Sequence, residues 1–326
     1  MRTDLTHLPS GKRRELERAV EILFQGFREA TQDAIGRRKT GRILKVILFG
    51  SYARGDWVDA PFDSNQYTSD YDVLVIVNQK ELTDRARYWE ATEQRLFDAY
   101  QVEKIIRAPV NFFVHSLQQV NDGLFHGRLL FMEIAKDGLA LYESDDRALA
   151  EPKPKTPQQA YLAAKEYFED KFPAAMRWFR VARLTQDEGE GYFSNAAFLL
   201  HQATETLYKS VLLTLTFYAP RNPDILALRS MAEGLDQRLF DAWPRGTHAE
   251  RARYQKLKDA YRKGQHSKHF EISADELDWL RAHIQILGER VHAVCTDRIA
   301  LLKATAENPP DSLQSPLITR LESPGL

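Results

Sequence analysis

Asp70 and Asp72 stand two positions apart at the head of the hydrophobic run Val73 to Val77. On a strand, two such carboxylates project from one face and Tyr71 from the other, close enough to hold a divalent cation together. Upstream, a second hydrophobic run ends in Gly50-Ser51. A residue without a Cβ lets the backbone approach a phosphate there, and the Ser51 hydroxyl with nearby amides can bind its oxygens. Arg54 adds a charge-assisted contact. Carboxylates for cations beside a turn for phosphates are the equipment of nucleotidyl transfer, in which an oxygen nucleophile attacks an α-phosphorus in line and pyrophosphate leaves. Both oxygens and the triphosphate are negative, so such a site needs concentrated positive charge, usually Mg²⁺ ions about 3.5–4 Å apart.

These residues need elements to hold them. From Gly11 to about Arg38 the apolar residues Leu16, Val20, Leu23, Phe24, Phe27 and Ile35 recur at three and four, which predicts an amphipathic helix. Ile43 to Phe49 and Val73 to Val77 are nearly continuous in their hydrophobicity and predict strands buried on both faces. Asp56 to Thr68, with Pro61, Asp63, Ser64 and Asn65, reads as an inserted loop. A helix over about 83–100 follows, then a strand from Val110 to His115, and a helical stretch from Leu129 running to a short edge strand that ends at Tyr142. Residues Glu143 to Pro157 carry three prolines among charges and mark a boundary. Beyond it helical periodicity runs over roughly 158–184, 191–217, 223–241, 247–263 and 274–303, which predicts an all-α bundle. The expected layout is a first domain over 11–145, a linker over 146–157, a bundle over 158–303 and a tail over 304–326.

Composition narrows the field. A chain of 326 residues with 43% hydrophobic and 11% aromatic residues can build two packed cores. There are 21 basic and 23 acidic residues in 1–150, and 24 and 23 in 151–326. Neither half has the positive excess of a sequence-independent nucleic-acid binder. Cys295 is the only cysteine, so an internal disulfide and a cysteine-based zinc site are both excluded. That composition suits a reducing cytoplasm. The N-terminus lacks an apolar signal region, and no stretch approaches the roughly 18 apolar residues of a membrane span, so no membrane partner is expected.

Residues 48–77, with GSYARG and SDYDVLV, resemble the polymerase-β-like nucleotidyltransferases, particularly the minimal nucleotidyltransferases and the kanamycin nucleotidyltransferase group. The resemblance implies an α+β fold, a small mixed sheet flanked by helices. It implies Asp70 and Asp72 as metal ligands for Mg²⁺ and as catalytic residues. Gly50 and Ser51, with Arg54 and Ser69, would hold the nucleotide, ATP or another NTP. Two departures stand out. Thirteen residues lie between Gly55 and Ser69 where minimal members have only a few. The third carboxylate of the family falls at Asn111, in Val110-Asn111-Phe112-Phe113; an amide can coordinate through its oxygen but cannot act as a base. Asp63, Glu103 or His115 are the substitutes within reach of the sequence.

The helical half resembles a HEPN domain (higher eukaryotes and prokaryotes nucleotide-binding). The carriers are the Ala-x-x-Leu-x-His-Gln-Ala-x-Glu run around His201 and Glu205 and the turn-rich segment 260–273. Ribonuclease members have an Arg followed after four to six residues by a His; Arg262 and His269 satisfy that spacing, and would bring RNA as a partner. A solvated loop there, and a histidine at the helix rim satisfied by its neighbours, are the plainer readings of these residues. Three functions follow from the resemblances. One is transfer of a nucleotide, AMP from ATP, to a hydroxyl of a protein or small molecule, within a toxin–antitoxin or defence module. Another is a nucleotide-sensing domain that controls a HEPN ribonuclease. The last is aminoglycoside modification. HEPN bundles commonly pair, so a homodimer is expected.

Overall fold

The computed structural model describes residues 2–33, 35–59, 69–144, 147–220, 224–263 and 270–308, with the side chains of residues 37, 38, 262 and 263 left aside. The chain divides into two compact units, Met1–Pro154 and Lys155–Leu326.

In the first unit, helix α1 (Ser10–Thr31) buries Leu16, Ala19, Leu23 and Phe27 at helical spacing. It ends short of the expected 38. Gly36 sits at φ 67° within a 3₁₀ turn, Gly36–Thr40, a conformation that an α-helix cannot continue through. Ile35, expected on the apolar face, is 82% exposed. Strand β1 (Ile43–Phe49) is buried at all seven positions. A single helical turn, α2 (Ser51–Arg54), follows it, and β2 (Tyr71–Val77) lies beyond the inserted loop. The helix expected over 83–100 comes in pieces: a 3₁₀ turn, then α3 (Arg85–Tyr88) and α4 (Glu90–Gln101), broken at the buried Trp89. Next come β3 (Val110–Ser116), α5 (Leu117–Phe125), α6 (Leu129–Asp137) and β4 (Leu139–Glu143). Helix α5 is an addition to the expected elements. Ser116 caps it in a reciprocal pair with Gln119. Between α6 and β4, a Cβ on Gly138 would overlap the Ile134 carbonyl and lie 2.8 Å from Ile47 Cγ2, so only glycine allows the chain to turn directly into the sheet.

The four strands are ordered β3-β2-β1-β4. β1 pairs antiparallel with β2 and with β4, and β2 pairs parallel with β3, which makes the sheet mixed. One face packs Val46, Leu48, Val73, Val75 and Phe112 against α1 and α4. The other carries buried Ile47, Leu74, Ile76 and Phe113, under α5 and α6. With both faces covered, the strands read as continuous hydrophobic runs.

The second unit is helical. It contains α7 (Pro157–Asp187), α8 (Phe193–Thr216), α9 (Ile225–Leu235), α10 (His248–Lys263) and α11 (Ala274–Glu307). Thr156 with Gln159 and Ser273 with Glu276 form capping boxes that fix where α7 and α11 start. The helix expected over 223–241 divides at Asp236, whose extended backbone (φ −151°) and carboxylate start a separate 3₁₀ turn, Gln237–Ala242. α8 is the central helix: Ala196, Leu200, Ala203, Leu207 and Val211 are completely buried among residues from the other helices. Among the described residues no helix is long and apolar enough to cross a membrane.

Candidate active site

The end of β1 and the starts of β2 and β3 meet at one level of the sheet. Phe49 pairs with Asp72, and Asp72 pairs in turn with Asn111 on the parallel strand beyond. Residues paired across a ladder point to the same face, so the strand pairing carries the Asn111 amide to the aspartates. Asn111 Nδ2 donates to Asp70 Oδ2 at 2.8 Å. Tyr71, between the two aspartates, points to the opposite face and is fully buried.

Gly50 closes the site from β1. It holds φ 73°, and a Cβ placed there would lie 2.6 Å from Asp72 Oδ2. Only a glycine lets the chain leave β1 so close to that carboxylate. The turn that follows is tightly tied: Arg54 N donates to the Gly50 carbonyl at 3.1 Å, while Gly55 N and Asp56 N both donate to the Ser51 carbonyl, at 2.8 and 3.1 Å. Ser51 is half-buried at the head of this turn. Arg54, 42% exposed, pairs with Asp56 at 3.1 Å at the surface, and its charge still reaches Asp72.

Charge sets the character of the pair. Burial pushes the Asp72 carboxyl up to about 8 and the neighbouring Asp70 charge adds to this, while the Asn111 hydrogen bond and Arg54 pull the other way. By surface accessibility Asp72 is only half-buried, so a ligand can still reach it. Tyr100, at the end of α4, has its phenol raised by burial and by the Asp70 charge, and the Lys104 ammonium lies 5.7 Å over its ring.

Beneath the pair is a polar layer that the sequence did not announce. Buried Glu15 of α1 accepts from the Tyr71 hydroxyl at 3.0 Å and from Arg107 N at 2.9 Å. Tyr52 lies 4.3 Å from Tyr71 ring to ring, and Lys12 Nζ donates to its hydroxyl at 3.3 Å while pairing with Asp59 at 3.2 Å. Burial, with nearby carboxylates, raises both phenols, so they remain protonated donors. The signal for these residues is faint: Lys12 and Glu15 lie on the buried side of an amphipathic helix, where charged residues are rarely found without partners.

The other expected residues fall differently. Ser69 is 3% exposed; its hydroxyl accepts from Val58 N at 2.9 Å and its own N–H donates to the Val58 carbonyl at 2.9 Å. These two bonds tie Ser69 to Val58 across the residues between them in sequence. Glu103 is exposed after α4, and Asp63 lies outside the described residues. His115 shares the face of Asn111, but four residues along a strand is about 13 Å, and its ring rests edge-on against Phe131. It is therefore not placed to act as a base at the aspartates. In the second unit, His201 is buried, hydrogen-bonds through Nδ1 to the Leu257 carbonyl at 2.9 Å and is kept neutral by burial, as a structural histidine would be. The side chain of Arg262 and all of His269 lie outside the described residues.

Among the described residues no cluster of three or more His, Cys, Asp or Glu side chains is arranged to hold a metal ion. Mg²⁺ does not require one, since it commonly takes one or two carboxylates and completes its octahedron with substrate phosphates and water. The present donors fit that pattern. Two carboxylates sit under the Gly50 backbone, one of them kept protonated near neutral pH by burial and by the charge of the other, and a rotated Asn111 amide would offer a third oxygen.

Residues 31–130 match the family model of the nucleotidyltransferase domain. The match supports the nucleotidyltransferase superfamily and nucleotidyl transfer as the general chemistry, with an NTP as substrate. It ends before the helical unit begins. No curated protein matches the chain.

Proposed function

We propose that the first unit transfers a nucleotide, AMP from ATP, to a hydroxyl group of a protein or small molecule. The observation that carries this reading is the Gly50–Asp72 approach, a backbone cradle for phosphate pressed against the aspartate pair. Asp70 and Asp72 would hold Mg²⁺, with Asn111 turning its amide oxygen toward it; the ion would supply positive charge to the triphosphate. Gly50, Ser51 and Arg54 would position the phosphates, Arg54 exchanging Asp56 for a phosphate oxygen. The acceptor oxygen bonds to the α-phosphorus, the α–β bridging bond breaks, pyrophosphate leaves, and the hydroxyl proton passes to solvent. Asn111 cannot take that proton. The test is incorporation of label from α-labelled ATP with Mg²⁺, wild type beside Asp72→Ala and Asp70→Ala. Loss by about 100-fold or more is expected, in the range typical of deleting a group that stabilises transition-state charge. Equal incorporation by all three chains removes the proposal.

Asn111 favours one further reading, a nucleotide-binding domain of low turnover beside a HEPN-like bundle that cleaves RNA, as in a regulatory or defence module. It predicts RNA degradation that disappears in His269→Ala, whereas intact RNA with and without ATP counts against it.

A further inference from the structure

Helix α7 carries an exposed face whose pattern the bundle leaves unused. Leu162, Glu166, Glu169, Pro173, Arg177, Arg180 and Leu184 are all exposed, and steps of three and four keep them in one stripe. The stripe is a charge palindrome about Pro173. Four and seven positions before it stand Glu169 and Glu166; four and seven positions after it stand Arg177 and Arg180; eleven positions away on either side stand Leu162 and Leu184. The two leucines are each 52% exposed. Among the described residues the side chains of Glu166, Arg177 and Arg180 make no hydrogen bond or ion pair, and that of Glu169 has only Lys165, 3.7 Å away and one turn earlier.

We propose that this stripe is the seam of a homodimer in which the α7 helices of two copies lie antiparallel about a two-fold axis at Pro173. A two-fold interface is one patch meeting itself, so a residue that faces another across it is faced by that residue in return. Centred on Pro173, antiparallel helices set Glu166 against Arg180 of the second copy and Glu169 against Arg177 of the second copy. Symmetry repeats both pairs. Leu162 meets Leu184 of the second copy at each end, the two ends lying about 33 Å apart at the helical rise per residue. A parallel alignment would set glutamate on glutamate and arginine on arginine, a shift by four residues leaves the charges unmatched, and a shift by three, which keeps Glu169 against Arg180 or Glu166 against Arg177, takes Leu162 and Leu184 off each other. The register is therefore written into the stripe. Pro173, short and without an N–H, allows close approach at the axis, and its missing helical hydrogen bond falls on an exposed stretch of α7. Val181, 44% exposed, lies beside the stripe and adds apolar area. Nothing in this pairing depends on nucleotidyl transfer in the first unit.

Sedimentation velocity on the full chain tests it. The wild type is expected to be a dimer that weakens as salt rises from about 0.1 M to about 1 M, because exposed ion pairs are screened. Two charge-uniform variants separate this seam from any other: Glu166→Arg with Glu169→Arg, and Arg177→Glu with Arg180→Glu. Each alone is expected to sediment as a monomer, and their equimolar mixture as a heterodimer, with far-UV circular dichroism unchanged in both. A wild type that stays monomeric at its highest soluble concentration overturns the proposal. So does a dimer that both variants retain, or a mixture of folded variants that fails to associate.

Discussion

At the scale of single residues, Asp72 is stressed by burial and, after it, by the Asp70 charge beside it. The Asp72 carboxyl, pushed to about 8 from an ordinary 3.8, keeps a proton in the folded chain that the unfolded chain releases. The folded state then binds more protons between about pH 4 and about pH 8, so the cation-free protein loses stability as pH rises through that window. Asp72→Asn should flatten this dependence. A tenfold change in proton affinity is worth about 1.4 kcal/mol; after discounting for the half-exposed position of Asp72, a gain of about 1–2 kcal/mol at pH 8 is expected in urea unfolding followed from pH 5 to pH 8. A mutant curve parallel to the wild type would reject it. Mg²⁺ should raise the melting temperature of the wild type more than that of Asp72→Asn, since only the former offers both carboxylates. Gly50→Ala forces a Cβ into the Asp72 oxygen at a positive φ. A cost of about 1–3 kcal/mol follows from overpacking and strain, together with at least a tenfold loss of label incorporation. Asn111→Asp tests the missing acid directly. It should raise incorporation at saturating Mg²⁺ while lowering stability without Mg²⁺, because a third carboxylate adds repulsion to the pair.

At the scale of elements, the site depends on how α1, α4 and the sheet pack. Glu15 of α1 ties Tyr71 of β2 to the Arg107 backbone just before β3, fixing the two strand starts that bring Asp72 and Asn111 level. Helices α1 and α4 approach so closely that a Cβ on Gly26 would overlap the Thr92 side chain. Gly26→Ala would gain about 1 kcal/mol in helix propensity, but the overlap outweighs it, so a net loss of about 1–2 kcal/mol is expected. Thr92→Ala in the same chain should recover part of that loss, because the hydroxyl in the way is removed. A stabilised single mutant in thermal unfolding would show that these helices can part. Such contacts are invisible in helical periodicity, which shows which face is buried but not how near its neighbour lies.

At the scale of the whole molecule, two separate hydrophobic cores serve two units, and residues 147–156 lie between elements and are mostly exposed. Limited proteolysis should cut there first and leave two resistant fragments, since exposed connecting segments are the preferred sites of nicking. Uniform degradation, or a first cut inside α7, would count against independent units. The helical unit owes its central helix to composition: α8 buries alanine and leucine at Ala196, Ala197, Leu200, Ala203, Leu207, Leu212 and Leu215, with Val211, Tyr208 and small hydroxyl residues between them, a width of surface that only burial on several sides can satisfy.

Local patterns in the chain sufficed for whatever repeats over a few residues: the alternation that sends Tyr71 away from Asp70 and Asp72, the unbroken apolar runs of β1 and β2, and the three-and-four spacing of the long helices. Helix ends were less legible, because Gly36 and Asp236 stop or divide helices through backbone angles that apolar spacing does not encode. Long-range packing alone decided the rest. The parallel alignment of β2 with β3 brings Asn111 to Asp72, and the packing of α1 sets Glu15 behind Tyr71. Ser69, adjacent to Asp70 in the chain, is turned inward by a hydrogen bond to Val58. The proton on Asp72 comes last, since it depends on how much water and charge the assembled strands leave around it.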